Sequence, residues 1–378
     1  MQMTQAPVLL CYNQRVKQCI SLFIFIFLAA CRSPAPPTSL PTPLVVIQTM
    51  TPLPTETPIA TPVMTPDLIF PYTIQGLREH AYHSGAITIL STLLATDEYS
   101  RYYISYPSDG LNIAGIMQVP AGEGPFPVIV MNHGYADRNT YASGDGTDRA
   151  AEYLVRRGYI TLASDYRSWG GSDLGPSLFH TGLVEDVINL MNAIPSIQQA
   201  DPNRIGMWGH SMGGGITTKI LTIDPRLKAA VLYAPNSADD ADLIARWGYG
   251  CIGEIPINEP LETCNAAEAI PLDSSPELIQ AYENAAADPS QLQRIAPIHH
   301  LAGVTAPVQI HIGTADGDTL GSTPPEWSYK LHQALVDAGK QAELYAYEGE
   351  RHSFVGDQWL LFMDRAAAFF DENVKKAL

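Results

Sequence analysis

Apolar and polar positions in residues 67–378 alternate between two kinds of segment. Short continuous apolar runs, such as FPVIVMNHG at 126–134, are typical of strands that are buried on both faces of a sheet. Between such runs lie segments such as 183–194, in which apolar residues fall on one face of a helix. The alternation predicts an α/β fold with a mostly parallel central sheet and helices on both faces.

The ends of this region contain further predicted elements. The runs YYISYPSD and LNIAGIMQVP flank Gly110 and predict an opening pair of antiparallel strands. The runs PVQIHIG (307–313) and ELYAYEG (343–349) predict the last two strands. The segment between them begins with two prolines and ends at Gly339, as is typical of a helix.

Residues 238–296 do not follow this alternation. They contain eleven acidic residues and two arginines, with few β-branched runs. We therefore expect a helical cap insert between two strands of the sheet. Open α/β sheets place their sites at the carboxyl ends of the strands, so an insert there would shape a pocket.

The stretch GHSMGGG (209–215) contains the strongest chemical signal. Ser211 follows the predicted strand RIGMWG and precedes the predicted helix MGGGITTKILTI. A serine at a sharp turn between a strand and a helix is the arrangement of a nucleophile elbow. Gly209 and Gly213 lie two residues to either side, where side chains would clash with the strained turn. The pattern predicts that Ser211 is a nucleophile.

A serine hydroxyl is a weak nucleophile unless a base accepts its proton. In a strand–elbow–helix fold the partners follow in the order serine, acid, histidine. Asp316 lies just beyond the strand 307–313, and His352 lies in the loop after the last strand. We predict that Asp316 orients His352 and that His352 accepts the proton of Ser211. Asp318, two residues after Asp316, is the alternative acid.

Acyl transfer also needs two hydrogen-bond donors for the developing oxyanion. The backbone N–H of Met212 is one candidate, and Tyr135, by its backbone N–H or its hydroxyl, is the other. His133 precedes this loop, and we expect it to brace the loop. His210 is expected to pack against the elbow or to orient it.

Five stretches together resemble a known group of enzymes: MNHGY, SDYRSWGGSD, DPNRIGMWGHSMGGG, RIAPIHHLAGVTAPVQIHIGTADGDT and GERHSF. They are similar to the catalytic domain of prolyl oligopeptidase-type serine peptidases and to related dienelactone hydrolase-like and acyl esterase enzymes. The resemblance covers about residues 100–375. It implies an α/β-hydrolase fold and a triad of Ser211, Asp316 and His352.

The peptidases of this group carry a β-propeller before the catalytic domain, and residues 67–100 are too few to form one. We therefore expect a serine hydrolase that cleaves ester bonds, or short peptide and amide bonds, through an acyl-enzyme. The alternatives are a prolyl oligopeptidase-like peptidase acting on short peptides and a non-catalytic, tethered binding module.

Charge and motifs argue against several other function classes. The net charge of −17 disfavours nucleic-acid binding, which needs a basic surface. No phosphate-binding motif is present, and the serine elbow explains the glycines of HSMGGG. The stretch DGDT at 316–319 lacks the spacing and the later glutamate of a calcium loop. We expect no cofactor and no metal, and a small ester or short peptide as the substrate.

Residues 1–30 have the character of a signal peptide. Two cations precede the apolar run ISLFIFIFLAA (20–30), which is too short to span a bilayer. The run ends in LAAC, which resembles the bacterial lipoprotein lipobox and makes Cys31 a candidate lipidation site. We expect an exported lipoprotein that is anchored by its lipid at the outer face of the cell membrane. An ordinary signal peptide is the alternative.

Residues 32–66 predict an extended linker. Ten of these 35 residues are proline and eight are threonine, so the segment is poorly suited to helix or sheet. The catalytic domain is expected to occupy residues 67–378. Within it, Cys251 and Cys264 are either free thiols or, in an oxidising compartment, a disulfide that closes a short loop.

Overall fold

The computed structural model describes residues 66–83, 85–253 and 263–376. The predicted signal peptide, Cys31 and nearly all of the predicted linker lie outside the described residues. Within the described ranges, no helix is both long enough and apolar enough to cross a membrane.

The described strands form one large sheet and one small sheet. The strands are β1 (Thr88–Ala95), β2 (Tyr99–Ser108), β3 (Leu111–Pro120), β4 (Phe126–Asn132), β5 (Ile160–Ser164), β6 (Ala200–His210), β7 (Leu227–Tyr233), β8 (Gly250–Ile252), β9 (Asn265–Ile270), β10 (Val308–Gly313) and β11 (Ala342–Tyr347). The large sheet has the order β1-β2-β3-β5-β4-β6-β7-β10-β11, and β8 pairs with β9.

The large sheet is mostly parallel, which confirms the predicted architecture. β4 to β7, β10 and β11 run parallel to one another, whereas β1, β2 and β3 pair antiparallel with their neighbours. β2 and β3 meet at the tight turn of Asp109 and Gly110, both with positive φ. The strand β1 was not predicted, because its side chains are exposed throughout and give no burial pattern.

Helices cover both faces of the sheet. They are α1 (Ile74–Glu79), α2 (Asp148–Val155), α3 (Thr181–Ala193), α4 (Met212–Leu221), α5 (Asp240–Trp247), α6 (Pro276–Ala287), α7 (Pro289–Ile295), α8 (Pro325–Asp337) and α9 (Gly356–Phe370). Local signals set their starts: at α6, the Ser275 side chain accepts a hydrogen bond from the Leu278 N–H at 3.2 Å, and Pro276 follows.

Two apolar cores lie on opposite faces of the sheet. Along β4, Val128 and Val130 join the core beneath α3, α4 and α8, while Ile129 and Met131 join the core beneath α2 and α9. All four side chains are fully buried. Each fully buried aliphatic side chain stabilises the fold by roughly 1.5–3 kcal/mol, so a strand buried on both faces is held firmly at the centre. The carboxyl ends of the central strands are therefore also held in place.

The segment 238–296 leaves the sheet after β7 and returns to it before β10. It contains α5, α6 and α7, as the prediction of helices implied, and also the small sheet of β8 and β9. The latter was not anticipated. Its two strands are too short to show an alternating run of apolar and polar residues in the sequence.

Candidate active site

Ser211 lies at the turn between β6 and α4. Its backbone has φ 55° and ψ −120°, a region that non-glycine residues rarely adopt. The turn is held by four backbone hydrogen bonds: the Ser211 N–H donates to Tyr233 O at 2.9 Å, and Ser211 O accepts from the N–H groups of Gly214, Gly215 and Asn236. This strained geometry is the one expected for a nucleophile elbow.

The flanking glycines are required by close backbone packing. A Cβ atom at Gly209 would lie 2.3 Å from Gly213 O, and one at Gly213 would lie 2.1 Å from Asn132 O. Both obstacles are backbone atoms, which cannot rotate away as a flexible side chain can. The spacing of the two glycines around Ser211 is therefore a steric condition for the turn.

The structure brings Asp316 and His352 together at the carboxyl edge of the sheet. Asp316 lies three residues beyond β10, and His352 lies in the loop between β11 and α9. His352 Nδ1 is 2.9 Å from Asp316 Oδ2 and 3.2 Å from Asp316 Oδ1. The alternative acid, Asp318, instead forms an ion pair with Arg351 at 2.5 Å.

Thr323 is a further contact of this pair that the sequence did not point to. Its Oγ1 lies 3.0 Å from Asp316 Oδ2, 3.0 Å from Ala234 O and 3.3 Å from His352 Nδ1. Asp316 also accepts a hydrogen bond from the Gly317 N–H at 2.7 Å. The carboxylate is thus held in a fixed orientation toward the imidazole.

His210 holds the loop that carries His352. Its Nε2 is 3.0 Å from the backbone oxygen of His352, and its ring stacks on Tyr233. Burial lowers the pKa of His210 to about 3, with a smaller effect of His352 in the same direction. A neutral His210 donates its Nε2–H to this carbonyl. The ring centroids of His210 and His352 are 4.8 Å apart, so the elbow and the His352 loop are in contact.

In the described part of the chain, no hydrogen bond joins Ser211 Oγ to His352. Such contacts are often long in the absence of substrate and shorten in the Michaelis complex. The structure therefore pairs Asp316 with His352 and places Ser211 on the adjacent loop.

His133 braces the loop after β4. Its ring is buried between Tyr141 and Tyr166, with centroid distances of 4.7 and 4.3 Å. Its Nδ1 is 2.7 Å from Gly134 O, and its Nε2 is 3.2 Å from Asp165 O. Burial lowers the pKa of His133 to about 4, so the ring is neutral near pH 7 and donates to one of these two carbonyls.

This loop passes directly beside the elbow. A Cβ atom at Gly134 would lie 3.0 Å from Ser211 Cβ, and Tyr135 follows immediately. Met212 is the first residue of α4, so its N–H has no acceptor within the helix. Tyr135 and Met212 both line the same cavity as Ser211. The structure thus brings the two predicted oxyanion-hole residues to the nucleophile.

The cavity beside Ser211 is small, with a volume of about 20 Å³. Its lining residues are Tyr135, Ser211, Met212, Asn236, Trp247, Asn265, Ala267 and Gly321. Three of them, Trp247, Asn265 and Ala267, come from the insert 238–296. The insert therefore forms part of the pocket wall, and it contributes mainly an indole ring and small side chains.

A second small cavity, of about 20 Å³, shares Met212 and Asn236 with the first and is also lined by Lys219 and Asp240. These two charged side chains are buried, and Lys219 Nζ is 3.7 Å from Asp240 Oδ1. Lys219 also donates to Phe179 O at 2.8 Å. The buried cation and anion therefore offset each other.

The insert is cross-linked near this wall. A disulfide joins Cys251 to Cys264, with their Cα atoms 5.1 Å apart, and ties β8 to the residue before β9. Asn265, the next residue, lines the cavity beside Ser211. Of the pocket residues that sequence reasoning missed, Asn236 and Trp247 carry no local motif. Asn236 lies in the loop directly after β7, and Trp247 reaches the pocket because the insert folds back.

Comparison with known proteins identifies the family to which this geometry corresponds. The family model Hydrolase_4, described as serine aminopeptidase, S33, matches residues 124–358. The match covers more than half of the chain and contains Ser211, Asp316 and His352.

Among individual proteins, a segment is 30% identical over 138 residues to the lysophosphatidylserine lipase ABHD12 of Danio rerio. The match covers 32% of this chain and 34% of that relative, so it spans about a third of the relative's length.

Solved structures show the same fold. An acetyl xylan esterase from Paenibacillus sp. R4 aligns over 80% of this chain and 93% of its own, with a TM-score of 0.54 and 18% identity. An acylaminoacyl peptidase from Pyrococcus horikoshii aligns over 79% of this chain and 52% of its own, with a TM-score of 0.55 and 17% identity. At such identities the likeness concerns the fold alone.

Proposed function

Because the chain belongs to the serine aminopeptidase, S33, family of α/β-hydrolases, we propose that it is a serine hydrolase that acts through Ser211, His352 and Asp316. The observation that carries this proposal is the 2.9 Å contact between His352 Nδ1 and Asp316 Oδ2 on the loop packed against the strained Ser211 elbow. A nucleophile, a base and the residue that orients the base are the parts that acyl transfer requires.

The proposed reaction has two steps. Ser211 Oγ attacks the carbonyl carbon of the substrate while His352 Nε2 accepts the serine proton, and the same nitrogen then returns that proton to the leaving group. Water, deprotonated by His352, hydrolyses the resulting acyl-enzyme and regenerates Ser211. The backbone N–H of Met212, together with Tyr135, stabilises the oxyanion of each tetrahedral intermediate.

We propose that the substrate is an ester with a small acyl group. The cavity beside Ser211 has a volume of only about 20 Å³, and Trp247 and Ala267 supply apolar surface to its wall. Small apolar pockets with a few polar groups favour compact acyl chains. Two solved neighbours in the fold, an acetyl xylan esterase and an acylaminoacyl peptidase, represent the ester and peptide alternatives.

A true aminopeptidase needs a carboxylate that can bind a free amine. Two buried carboxylates lie near the pocket, but both have partners. Asp240 pairs with Lys219 at 3.7 Å, and Glu268 accepts a hydrogen bond from the Tyr282 hydroxyl at 2.9 Å. Burial raises the pKa of Glu268 to about 7, which weakens its charge near neutral pH. These contacts favour ester substrates over aminoacyl ones.

The test combines an active-site probe with two substrates. A fluorophosphonate probe should label the protein but not its Ser211→Ala variant, whose kcat for p-nitrophenyl acetate should fall by about 10⁴-fold or more. Ser91→Ala, which removes an exposed serine hydroxyl on β1, away from the cavity beside Ser211, is the control. Equal labelling of the Ser211→Ala variant would overturn the assignment of the nucleophile. Faster hydrolysis of aminoacyl-p-nitroanilides than of the ester would overturn the choice of substrate.

We also propose that the protein is a lipid-anchored, exported enzyme, with Cys31 as the lipidated residue. The support is the LAAC sequence at the end of an apolar run, followed by a proline-rich linker. Metabolic labelling with a radiolabelled fatty acid should mark the wild type and not Cys31→Ser. Equal labelling of both would exclude this site.

A further inference from the structure

A cluster of histidines and carboxylates lies outside the proposed active site. His80 follows α1, Asp109 forms the β2–β3 turn, and Glu185 lies on α3. One ligand atom of each residue lies within 4.8 Å of those of the other two. His83 reaches the same carboxylate, with its Nδ1 3.3 Å from Asp109 Oδ1. Three potential ligands from three separate segments therefore lie close together, and the exposed side chain of His83 lies beside them on the other oxygen of Asp109.

The spacing within the cluster suits a small divalent ion. In a tetrahedral site with bonds of about 2.0–2.1 Å, neighbouring ligand atoms are about 3.3 Å apart. The distance from His80 Nε2 to Asp109 Oδ2 is 3.2 Å. Two imidazoles with two carboxylates match the nitrogen and oxygen ligands of zinc better than the all-oxygen sites of calcium or magnesium.

The charges around the cluster also favour a cation. Asp109, Glu185 and Asp186 are three neighbouring acidic residues. Arg167 contacts Glu185 Oε2 at 3.1 Å and binds the Asp186 carboxylate through its Nε and Nη2, at 3.1 and 2.9 Å. One guanidinium therefore faces up to three carboxylates, and a bound divalent ion would offset the excess negative charge.

Asp109 is oriented by a second contact. The Asn189 side-chain amide, one turn further along α3 from Glu185, donates to Asp109 Oδ2 at 3.3 Å. Hydrogen bonds from outside the ligand set commonly hold metal ligands in position. The backbone of Asp109 has φ 47°, so the turn presents this side chain in a set direction.

We propose that His80, Asp109 and Glu185, with His83 as the fourth ligand, form a structural zinc site. The site would join the segment that enters the domain at residues 66–83 to the β2–β3 turn and to α3. Its role would be to fasten the start of the catalytic domain, and it takes no part in the acyl-transfer chemistry proposed above.

The test measures zinc binding to the full chain after chelator treatment and dialysis. Titration calorimetry should show one tight equivalent of Zn²⁺, and zinc should raise the melting temperature by about 5 °C at a hundred-fold excess over the dissociation constant. His80→Ala and Asp109→Asn should each weaken binding by about 100-fold, the upper end of the cost of losing even an outer hydrogen-bond partner of a metal ligand. Asn tolerates the positive φ of residue 109, so that variant keeps the turn.

The exposed His299, outside the cluster, supplies the control: His299→Ala should bind zinc as the wild type does. Cobalt substitution gives a readout independent of activity, because a tetrahedral site shows intense visible absorption that His80→Ala should abolish. Ester hydrolysis should persist in both variants, which shows that they fold. The proposal is wrong if the wild type binds no zinc, or if His80→Ala and Asp109→Asn bind it as tightly as the wild type.

Discussion

The side chains around His352 have separate roles in the proposed mechanism. Asp316 contacts the Nδ1 edge of the imidazole, and this leaves Nε2 for the serine proton. His210 holds the backbone carbonyl of His352 and stays neutral because burial lowers its pKa to about 3. The sequence had marked both histidines but could not state which part of the loop His210 contacts.

Thr323 offers a direct test of how the acid is positioned. We expect Thr323→Val to lower kcat by about 10- to 100-fold, because a hydrogen bond to a charged group contributes about 1.5–3 kcal/mol. KM should change little, since Thr323 does not line the cavity beside Ser211. Steady-state kinetics with p-nitrophenyl acetate measures both constants. Thr323→Ser keeps the hydroxyl and should restore most of the rate. If the serine variant is as slow as the valine variant, the hydroxyl is not the cause.

The strand β6 and the helix α4 together fix the position of Ser211 at the turn between them. A rigid strand, buried on both faces, ends at the point where the chain must reverse within one residue. The glycines at 209 and 213 allow α4 to pack directly on the backbone of β6 and on the end of β4. The strain at Ser211 is maintained by the packing of the elements on either side.

Paired glycine substitutions test this packing. Gly213→Ala should lower the free energy of unfolding by about 1–3 kcal/mol, the usual cost of overpacking a core, because its Cβ meets the Asn132 backbone. Gly215→Ala is the milder comparison in the same helix, since its Cβ would meet Asn236 Cβ at 3.0 Å, which a shift of a few tenths of an ångström relieves. Urea denaturation measures both values. Similar losses in the two variants would contradict the steric explanation.

The disulfide of the insert allows a second test, of how a cross-link within one segment affects the stability of the fold. Cys251 and Cys264 are separated by 13 positions. Closing a loop of this size removes conformational entropy from the unfolded chain that is equivalent to about 3 kcal/mol. We expect dithiothreitol to lower the melting temperature of the wild type and not that of the Cys251→Ser/Cys264→Ser double variant. A wild-type melting curve unaffected by reductant would mean that the bond adds nothing to global stability.

The molecule as a whole buries several ionisable groups, and this sets its response to acid. Burial lowers the pKa of His133 to about 4 and of His180 to about 3, and it holds the pKa of His311 well below its usual range. Burial raises the pKa of Asp165 to about 6 and of Glu268 to about 7. The two sets act in opposite directions.

The histidines should determine whether acidification raises or lowers the stability of the fold. Below about pH 6.5 the unfolded histidines bind protons that the folded ones do not, so acid favours unfolding until the pH reaches the folded pKa values. The two carboxylates take up protons in the folded state as the pH falls through 7 and 6, which opposes this loss. His210, whose pKa burial also lowers to about 3, adds a fourth histidine. Four histidines outweigh the two carboxylates, so we expect a net loss of stability between pH 7 and pH 5.

Urea denaturation at several pH values measures this slope. The Glu268→Gln variant removes one opposing carboxylate, so its stability should fall more steeply over the same range. A wild-type stability that rises on acidification from pH 7 to pH 5 would contradict the assignment of neutral, buried histidines.

Local patterns in the sequence were sufficient for the central architecture. Burial on both faces makes a continuous apolar run, and a helix on the sheet needs apolar residues on one side, so both can be recognised within about ten residues. The α/β architecture predicted in this way is confirmed by the sheet, and the α/β-hydrolase fold implied by the resemblance is confirmed by the family match. The roles of Ser211, Asp316 and His352 follow from their order along the chain and stay predictions.

Tertiary structure decided every contact between residues distant in sequence. Thr323 reaches Asp316 and His352 because the loop after β10 folds back. Trp247 lines the pocket because the insert folds over the strand ends. His80, Asp109 and Glu185 meet only when α1, the β2–β3 turn and α3 pack together. Local sequence periodicity does not predict these contacts. Each contact depends on the free energy of packing whole helices and strands against one another, and not on the residues in contact alone.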